Sequence, residues 1–273
     1  MASETSRVAA YERLTRLPTF HPTAIKLLTL SAEADSALAD FEGVFKADLT
    51  LTADLLLTAN SAAYGLRSRV ENIRHALTLL GLERVRSLAC NIIWGAYLRQ
   101  QPPEHLRPLW QHSIASAVIG DILGTIYQVP GLYTAGLLHD LGRLGLLLSA
   151  GQPYAQTLAE ESACVEEAIE RETALCGLNH CDAGAHLAQA WGFPELLQVT
   201  MVDHHGQRPA ASGSPVELIQ TACRMADWLG FPEFRCSEPG APLVLPQGVL
   251  DAPQLEPERL RDLINKQATI LSS

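Results

Sequence analysis

Several patterns that would announce a function outright are missing from this sequence. Six cysteines occur (Cys90, Cys164, Cys176, Cys181, Cys223, Cys236) but no CxxC pair. Cys176 and Cys181 flank His180, yet the rest of a zinc-ribbon pattern is absent. Scattered cysteines suit reduced thiols in a cytoplasmic protein. No run of 18 apolar, uncharged residues appears, so no membrane span is expected. The first residues, from Met1 to Leu14, lack the basic and apolar segments of a secretory signal. Positive charge is scarce: 20 Lys and Arg face 30 Asp and Glu, a formal net charge of -10. Such a chain is a poor match for polyphosphate, which argues against general nucleic-acid binding. Strand-like alternation is nearly absent, and there is no internal repeat or low-complexity run.

What is present is helical periodicity. The chain has 273 residues, 47% hydrophobic and 18% charged, a globular balance large enough for one core or two modest ones. Leu49, Ala53, Leu56 and Leu57 fall on one helical face. Ile73, Ala76, Leu77 and Leu80 repeat the pattern, and Gly81 suits a left-handed helix end. Leu82, Val85, Ala89, Ile92 and Ala96 form the next stripe. Further helices are predicted from Leu109 to Tyr127, Tyr133 to Ser149, Gln152 to Leu175, and Asp182 to Trp191. Two more begin at Pro194 and Pro215, where proline fits the first turn. Beyond Gly230 prolines punctuate a loop-rich stretch before a last helix with Leu260, Leu263 and Ile264. The expectation is an all-α protein with an N-terminal helical bundle (1–100) packed on a second helical domain (101–230). A proline-rich loop and C-terminal helix (231–273) would follow. The boundary is placed at Gln100-Gln101-Pro102-Pro103.

The chemistry centres on His139-Asp140, which ends the apolar run Ala135-Gly136-Leu137-Leu138. Burying that pair without a partner is costly, and a divalent metal is one partner that suits both side chains. Hydrogen bonding within a helix cap is the other. His112 and Asp227 lie on separate predicted helices, with His180, His204 and His205 between them. Helical bundles build metal sites from such scattered donors. His204 and His205 are adjacent, so on a continuous helix they would point about 100° apart and only one would face inward. Arg67, Arg69, Arg74, Arg84 and Arg86 cluster against Glu71 and Glu83. They read first as a solvated charged face, then as a site for an anionic partner. The helix–Gly–helix pattern at Gly81 adds a weaker hint of DNA binding, which the net charge opposes. Asn60, Tyr64 and Gly65 read first as a tight turn, then as part of a partner or ligand surface.

The order His112, His139-Asp140, Asp227 resembles the HD phosphohydrolase superfamily, in which these residues hold a metal that activates water against a phosphoester. His180, His204 and His205 resemble the additional ligands of its two-metal HD-GYP branch. Arg143 stands where that branch has lysine, and Gly206-Gln207-Arg208-Pro209 follows the double histidine in place of a GYP signature. A closer resemblance is to the HDOD family. Leu17-Pro18-Thr19-Phe20-His21-Pro22, Ala59-Asn60-Ser61-Ala62-Ala63-Tyr64-Gly65 and Leu109-Trp110-Gln111-His112-Ser113 are similar to its motifs. So are Gly136-Leu137-Leu138-His139-Asp140-Leu141-Gly142, Trp191-Gly192-Phe193-Pro194 and His204-His205. The HDOD resemblance implies an HD-like second domain and a bacterial signal-transduction module that is non-catalytic and partner-binding. It points to a signalling protein, or a receiver or cyclic-dinucleotide domain, as partner. The alternative is a metal-dependent phosphohydrolase. In that case Fe, Mn or Zn would sit on His112, His139, Asp140, His180, His204, His205 and Asp227, and Asp140 would position the attacking water.

Overall fold

Apolar spacing and strong end signals account for the helices. The structure, a computed structural model, describes residues 4–17, 22–33, 35–60, 69–82, 84–90, 103–206, 210–236 and 252–272. The N-terminal helices are α1 (Glu4–Thr15), α2 (Pro22–Ala32), α3 (Leu38–Lys46), α4 (Leu49–Ala59), α5 (Ile73–Leu80) and α6 (84–90). Then follow α7 (Pro103–Tyr127), α8 (Leu132–Leu138), α9 (Leu141–Ala150), α10 (Gln152–Ala159) and α11 (Val165–Cys176). The last are α12 (His180–Ala190), α13 (Glu195–Asp203), α14 (Pro215–Trp228) and α15 (Pro257–Ser272). Among the described residues there is no strand, only an isolated parallel bridge between Ser162 and Cys236. The fold is all-α, as the periodicity predicts. No helix among the described residues is long and apolar enough to cross a membrane.

Side-chain caps set several helix starts. Asp48 accepts the Thr50 and Leu51 amides at 2.9 and 3.1 Å, and Asn72 accepts that of His75 at 2.8 Å. Gly81 ends α5 as expected of a terminal glycine, but with φ +75° and ψ 165° it takes an extended positive-φ conformation open to glycine rather than the left-handed helical one. Asn60 spans its turn by accepting the Val70 amide and donating to the Val70 carbonyl. Tyr64 and Gly65 lie outside the described residues, as do His21 and residues 207–209.

The structure departs from the sequence reading in four places. The helix expected from Tyr133 to Ser149 breaks at His139-Asp140, between α8 and α9. The one expected from Gln152 to Leu175 is interrupted between α10 and α11. In α4 the core face is Leu51, Leu55 and Ala59, while Leu49 and Leu57 are exposed, so the inward stripe is rotated from the one expected. Arg86 is buried rather than on a charged face. Its guanidinium donates to the Glu33 carbonyl at 2.6 Å and to Ser36 Oγ at 2.9 Å.

One continuous apolar core joins the helices. At its centre α7 packs on α8 and α14, while α12 packs on α9 and α13. Helices α2 to α5 pack largely on one another and reach the body where α2 meets α8. Helix α1 packs on α9, α11 and α12.

Two close approaches depend on absent side chains. A Cβ at Gly136 would come 2.5 Å from the Ser116 carbonyl oxygen of α7. A Cβ at Gly142 would collide with the His180 carbonyl oxygen and lie 2.6 Å from the Gly184 amide nitrogen. These contacts are with backbone, which cannot rotate away, so Gly142 lets α9 and α12 meet. Gly142→Ala is therefore expected to cost at least about 1–3 kcal/mol. Gly43, mid-helix in α3, has open space around its missing Cβ. Gly43→Ala is expected to stabilise by about 0.5–1 kcal/mol. Urea unfolding of both variants checks the contrast; equal effects would contradict it.

Candidate metal centre

The break between α8 and α9 places His139 and Asp140 where five other elements converge. His112 comes from α7, His180 from the first residue of α12, His204 and His205 from the end of α13. Glu172 comes from α11, and Glu233 from the segment after α14. His112, His139, Asp140, His180 and Glu172 are almost fully buried, and His204 and Glu233 nearly so.

The imidazoles are oriented by a shared device. His112 Nδ1 lies 2.9 Å from the Phe231 carbonyl oxygen, His139 Nδ1 2.7 Å from that of Gly136, and His204 Nδ1 3.0 Å from that of Met201. A carbonyl oxygen only accepts, so each Nδ1 carries the proton and each Nε2 faces inward. His180 follows the rule with a carboxylate: its Nδ1 is 2.6 Å from Glu172 Oε2. Glu172 also accepts the His180 amide at 3.0 Å and the Tyr154 hydroxyl at 2.7 Å. This is how proteins hold metal-binding histidines, with one ring nitrogen tied and the other free.

The inward atoms are crowded. His180 Nε2 lies 3.2 Å from His204 Nε2 and 2.8 Å from His205 Nε2. Asp140 Oδ1 is 3.6 Å from both His180 Nε2 and His204 Nε2. His139 Nε2 and both Asp140 oxygens are buried without a hydrogen-bond partner. Glu233 Oε1 lies 3.0 Å from His205 Nε2, at an angle that makes no hydrogen bond. His180 and His204, both tied at Nδ1, turn lone pairs toward each other unless one ring takes a second proton or the two share a metal, while His205 can donate from Nε2. Donor atoms of Asp140, His180, His204 and Glu233 all lie within 4.8 Å of one another, as do those of His112, His139 and Cys223. Imidazole and carboxylate donors of this kind fit a divalent transition metal.

The charges point the same way. Asp140, Glu172 and Glu233 are buried carboxylates, and Arg143 is the single buried guanidinium among them. Its nitrogens stand 3.7 Å from Asp140, 3.8 Å from Glu172 and 3.9 Å from Glu233. It donates to the Glu233 carbonyl at 2.8 Å, and its guanidinium carbon sits 4.2 Å from the centre of the Phe234 ring. Burial works against ionised carboxylates here. At Asp140 the imidazoles of His139, His204 and His180 together with Arg143 outweigh it, and at Glu233 His205 and His180 outweigh both burial and the neighbouring Asp140, so both carboxylates are held well below the usual range.

The sequence reading needs two corrections at the site. Asp227 does not turn inward: its side chain is 41% exposed and stands behind His112, with Oδ1 3.4 Å from Nδ1. It accepts the Glu233 amide at 3.0 Å and so pins the segment that brings Glu233 in. His204 and His205 both reach the cluster: although His204 keeps helical backbone angles, the two ring centres are 4.2 Å apart and both Nε2 atoms meet His180 Nε2. Glu172, Cys223 and Glu233 were not anticipated. Glu172 is an apolar-face carboxylate in an otherwise charged helix. Glu233 lies between Phe231 and Phe234, an unusual place for a solvated loop glutamate.

A wholly helical body that gathers imidazoles and carboxylates at one buried point defines the HD-like class of helical proteins. The family model of the HDOD domain matches residues 17–207, and the chain belongs to the HDOD family. It is similar in fold to an HDOD domain protein with unknown function from Geobacter sulfurreducens. That match has a TM-score of 0.69 and 22% identity and covers 99% of this chain and 94% of the other. It also resembles a provisionally named signal transduction protein from Marinobacter aquaeolei VT8. There the TM-score is 0.67 at 20% identity, over 98% of this chain and 63% of that one. An uncharacterized protein of Treponema pallidum (strain Nichols) is 27% identical over 228 residues. The match takes in 80% of this chain and 44% of the relative, so the chain spans under half of that relative's length.

Burial, above all, lowers the pKa of His139 to about 3; Asp140 opposes this, and His204 and His112 add to it. An unfolded imidazole takes up its proton near pH ~6.5. Between about pH 6.5 and 3 the unfolded state therefore binds the extra proton, and His139 costs stability as pH falls. In metal-free protein at pH 6, His139 is expected to be neutral and protonated at Nδ1. Long-range proton–nitrogen NMR correlations check this, and an imidazolium pattern would contradict it.

Proposed function

We propose that this HDOD chain is a regulatory output domain that binds a signalling partner. Its buried cluster holds a divalent metal, Fe, Mn or Zn, as a structural element rather than as a phosphohydrolase centre. The observation that supports this reading is the segment from Phe231 to Cys236. It lays a carboxylate and an aromatic ring over the imidazoles, while Arg143 donates to its backbone. A phosphoester is anionic and must reach the metal; catalysis needs an open coordination position and converging positive charge. Here the inward face presents Glu233, and the one nearby guanidinium is engaged by the protein itself. The signal-transduction name of the Marinobacter fold neighbour agrees with a regulatory role.

A metal-dependent phosphohydrolase is the second reading. It is favoured by Asp140, whose two unpartnered oxygens beside several imidazoles are what a water-activating metal would use. A bound metal would lower the pKa of a coordinated water. Protein loaded with Mn2+, Fe2+ or Zn2+ is expected to hydrolyse bis(p-nitrophenyl) phosphate no faster than its His139→Ala variant. Turnover at ordinary enzymatic efficiency, lost in that variant, would overturn the regulatory reading in favour of the second.

A further inference from the structure

Asp227 and Cys223 stand one turn apart on α14, and the helix turns the thiol inward. Cys223 is buried, while the Asp227 carboxylate points to the rim. Around Cys223 two imidazoles are already prepared. His112 and His139 both spend Nδ1 on backbone carbonyls, their rings stand edge to face with centres 5.2 Å apart, and His139 Nε2 is buried without a partner. The Cys223 sulfur and one nitrogen from each ring lie within 4.8 Å of one another. Asp140 Oδ2 is 3.7 Å from His139 Nε2, and Glu233 Oε2 is 4.0 Å from His112 Nε2, so oxygen donors border the same space. Ser116 Oγ lies 3.4 Å from His112 Nε2 and 3.7 Å from the sulfur, so its hydroxyl borders two of the three donors.

We propose that His112, His139 and Cys223 form a thiolate metal site, in which sulfur takes the place that the superfamily resemblance gives to the Asp227 carboxylate. On binding, the thiol gives up its proton to solvent and a metal–sulfur bond forms; no electrons are transferred. A sulfur donor beside two imidazoles selects a borderline ion such as Zn2+, Co2+ or Fe2+ over Mn2+ or Mg2+. An ordinary core cysteine looks different. Cys90 is also buried, but its sulfur faces Thr134 Oγ1 and joins no group of three metal donors among the described residues.

This inference rests on the reading of the cluster as metal-binding, and Co2+ separates the two. Full-length protein, stripped with chelator and kept reduced, is titrated with Co2+. A near-ultraviolet sulfur-to-cobalt band is expected. It should disappear in Cys223→Ser, with Co2+ affinity weakened at least about tenfold, and persist in Cys181→Ser, whose thiol lies 3.5 Å from His180 Nε2. If Co2+ does not bind at all, the metal reading falls and this proposal with it. Binding without a thiolate band, or a band that survives Cys223→Ser, overturns the thiolate site and leaves the metal reading standing. X-ray absorption of the Zn2+-loaded wild-type protein gives a check that needs no variant. One sulfur at about 2.3 Å is expected, and a shell of nitrogen and oxygen alone would refute the proposal.

Discussion

Three carboxylates share a buried space with one guanidinium, and that imbalance governs the rest of the site. Burying an unpaired charge costs several kcal/mol, so the surrounding groups have to supply positive charge or hydrogen bonds. Glu172 is fully answered, by Tyr154 and by the amide and ring of His180. Asp140 is not, since both its oxygens lack a hydrogen bond. A neutral ring with its proton committed outward cannot answer it, so the positive charge comes from a second proton on an imidazole or from a metal. The cluster is thus completed by a cation at the centre, and its stability is linked to whatever supplies that cation. A ligand that binds only the folded state stabilises it in proportion to the logarithm of its concentration over Kd.

The anchors that orient the rings come from separate parts of the chain. Phe231 follows α14, Gly136 lies in α8, Met201 in α13 and Glu172 in α11. A change at the centre therefore acts on several helices at once. The tight seam at Gly142 makes this coupling stiff, because α9 and α12 touch through backbone rather than through side chains that could rotate. A regulatory domain needs a local event that several elements register together, and this arrangement has the connectivity for one.

Much of the fold was legible because helical period, caps and terminal glycines are local signals. Asn72 and Gly81 bracket α5 as their residue types require. The rotated face of α4 was not legible. Leucines surround that helix, and only its neighbours α3 and α5 decide which of them are buried. At the site, the imidazoles and the His-Asp pair were visible as costly residues in apolar surroundings. Asp227 misled because helix register, set by the packing of α14 on α7, decides between it and Cys223. Glu233 was hidden because a loop has no period from which to read an inward face.

Arg143 shows how a nearly complete donor set coexists with a covered centre. A guanidinium stays charged at any ordinary pH and is planar, so it suits stacking and fixed hydrogen bonds better than proton transfer. Here it stacks on Phe234 and donates to the Glu233 carbonyl, both on the covering segment. The same segment is held by Asp227 at the Glu233 amide, by His112 at the Phe231 carbonyl and by Ser162 at the Arg235 carbonyl. Three of these four ties are made by positions where the superfamily resemblance places catalytic machinery: the two ends of its ligand order and the residue after HDxG. Each of the three helps to hold the chain over the centre, and His112 does so through Nδ1 while its Nε2 still faces the cluster.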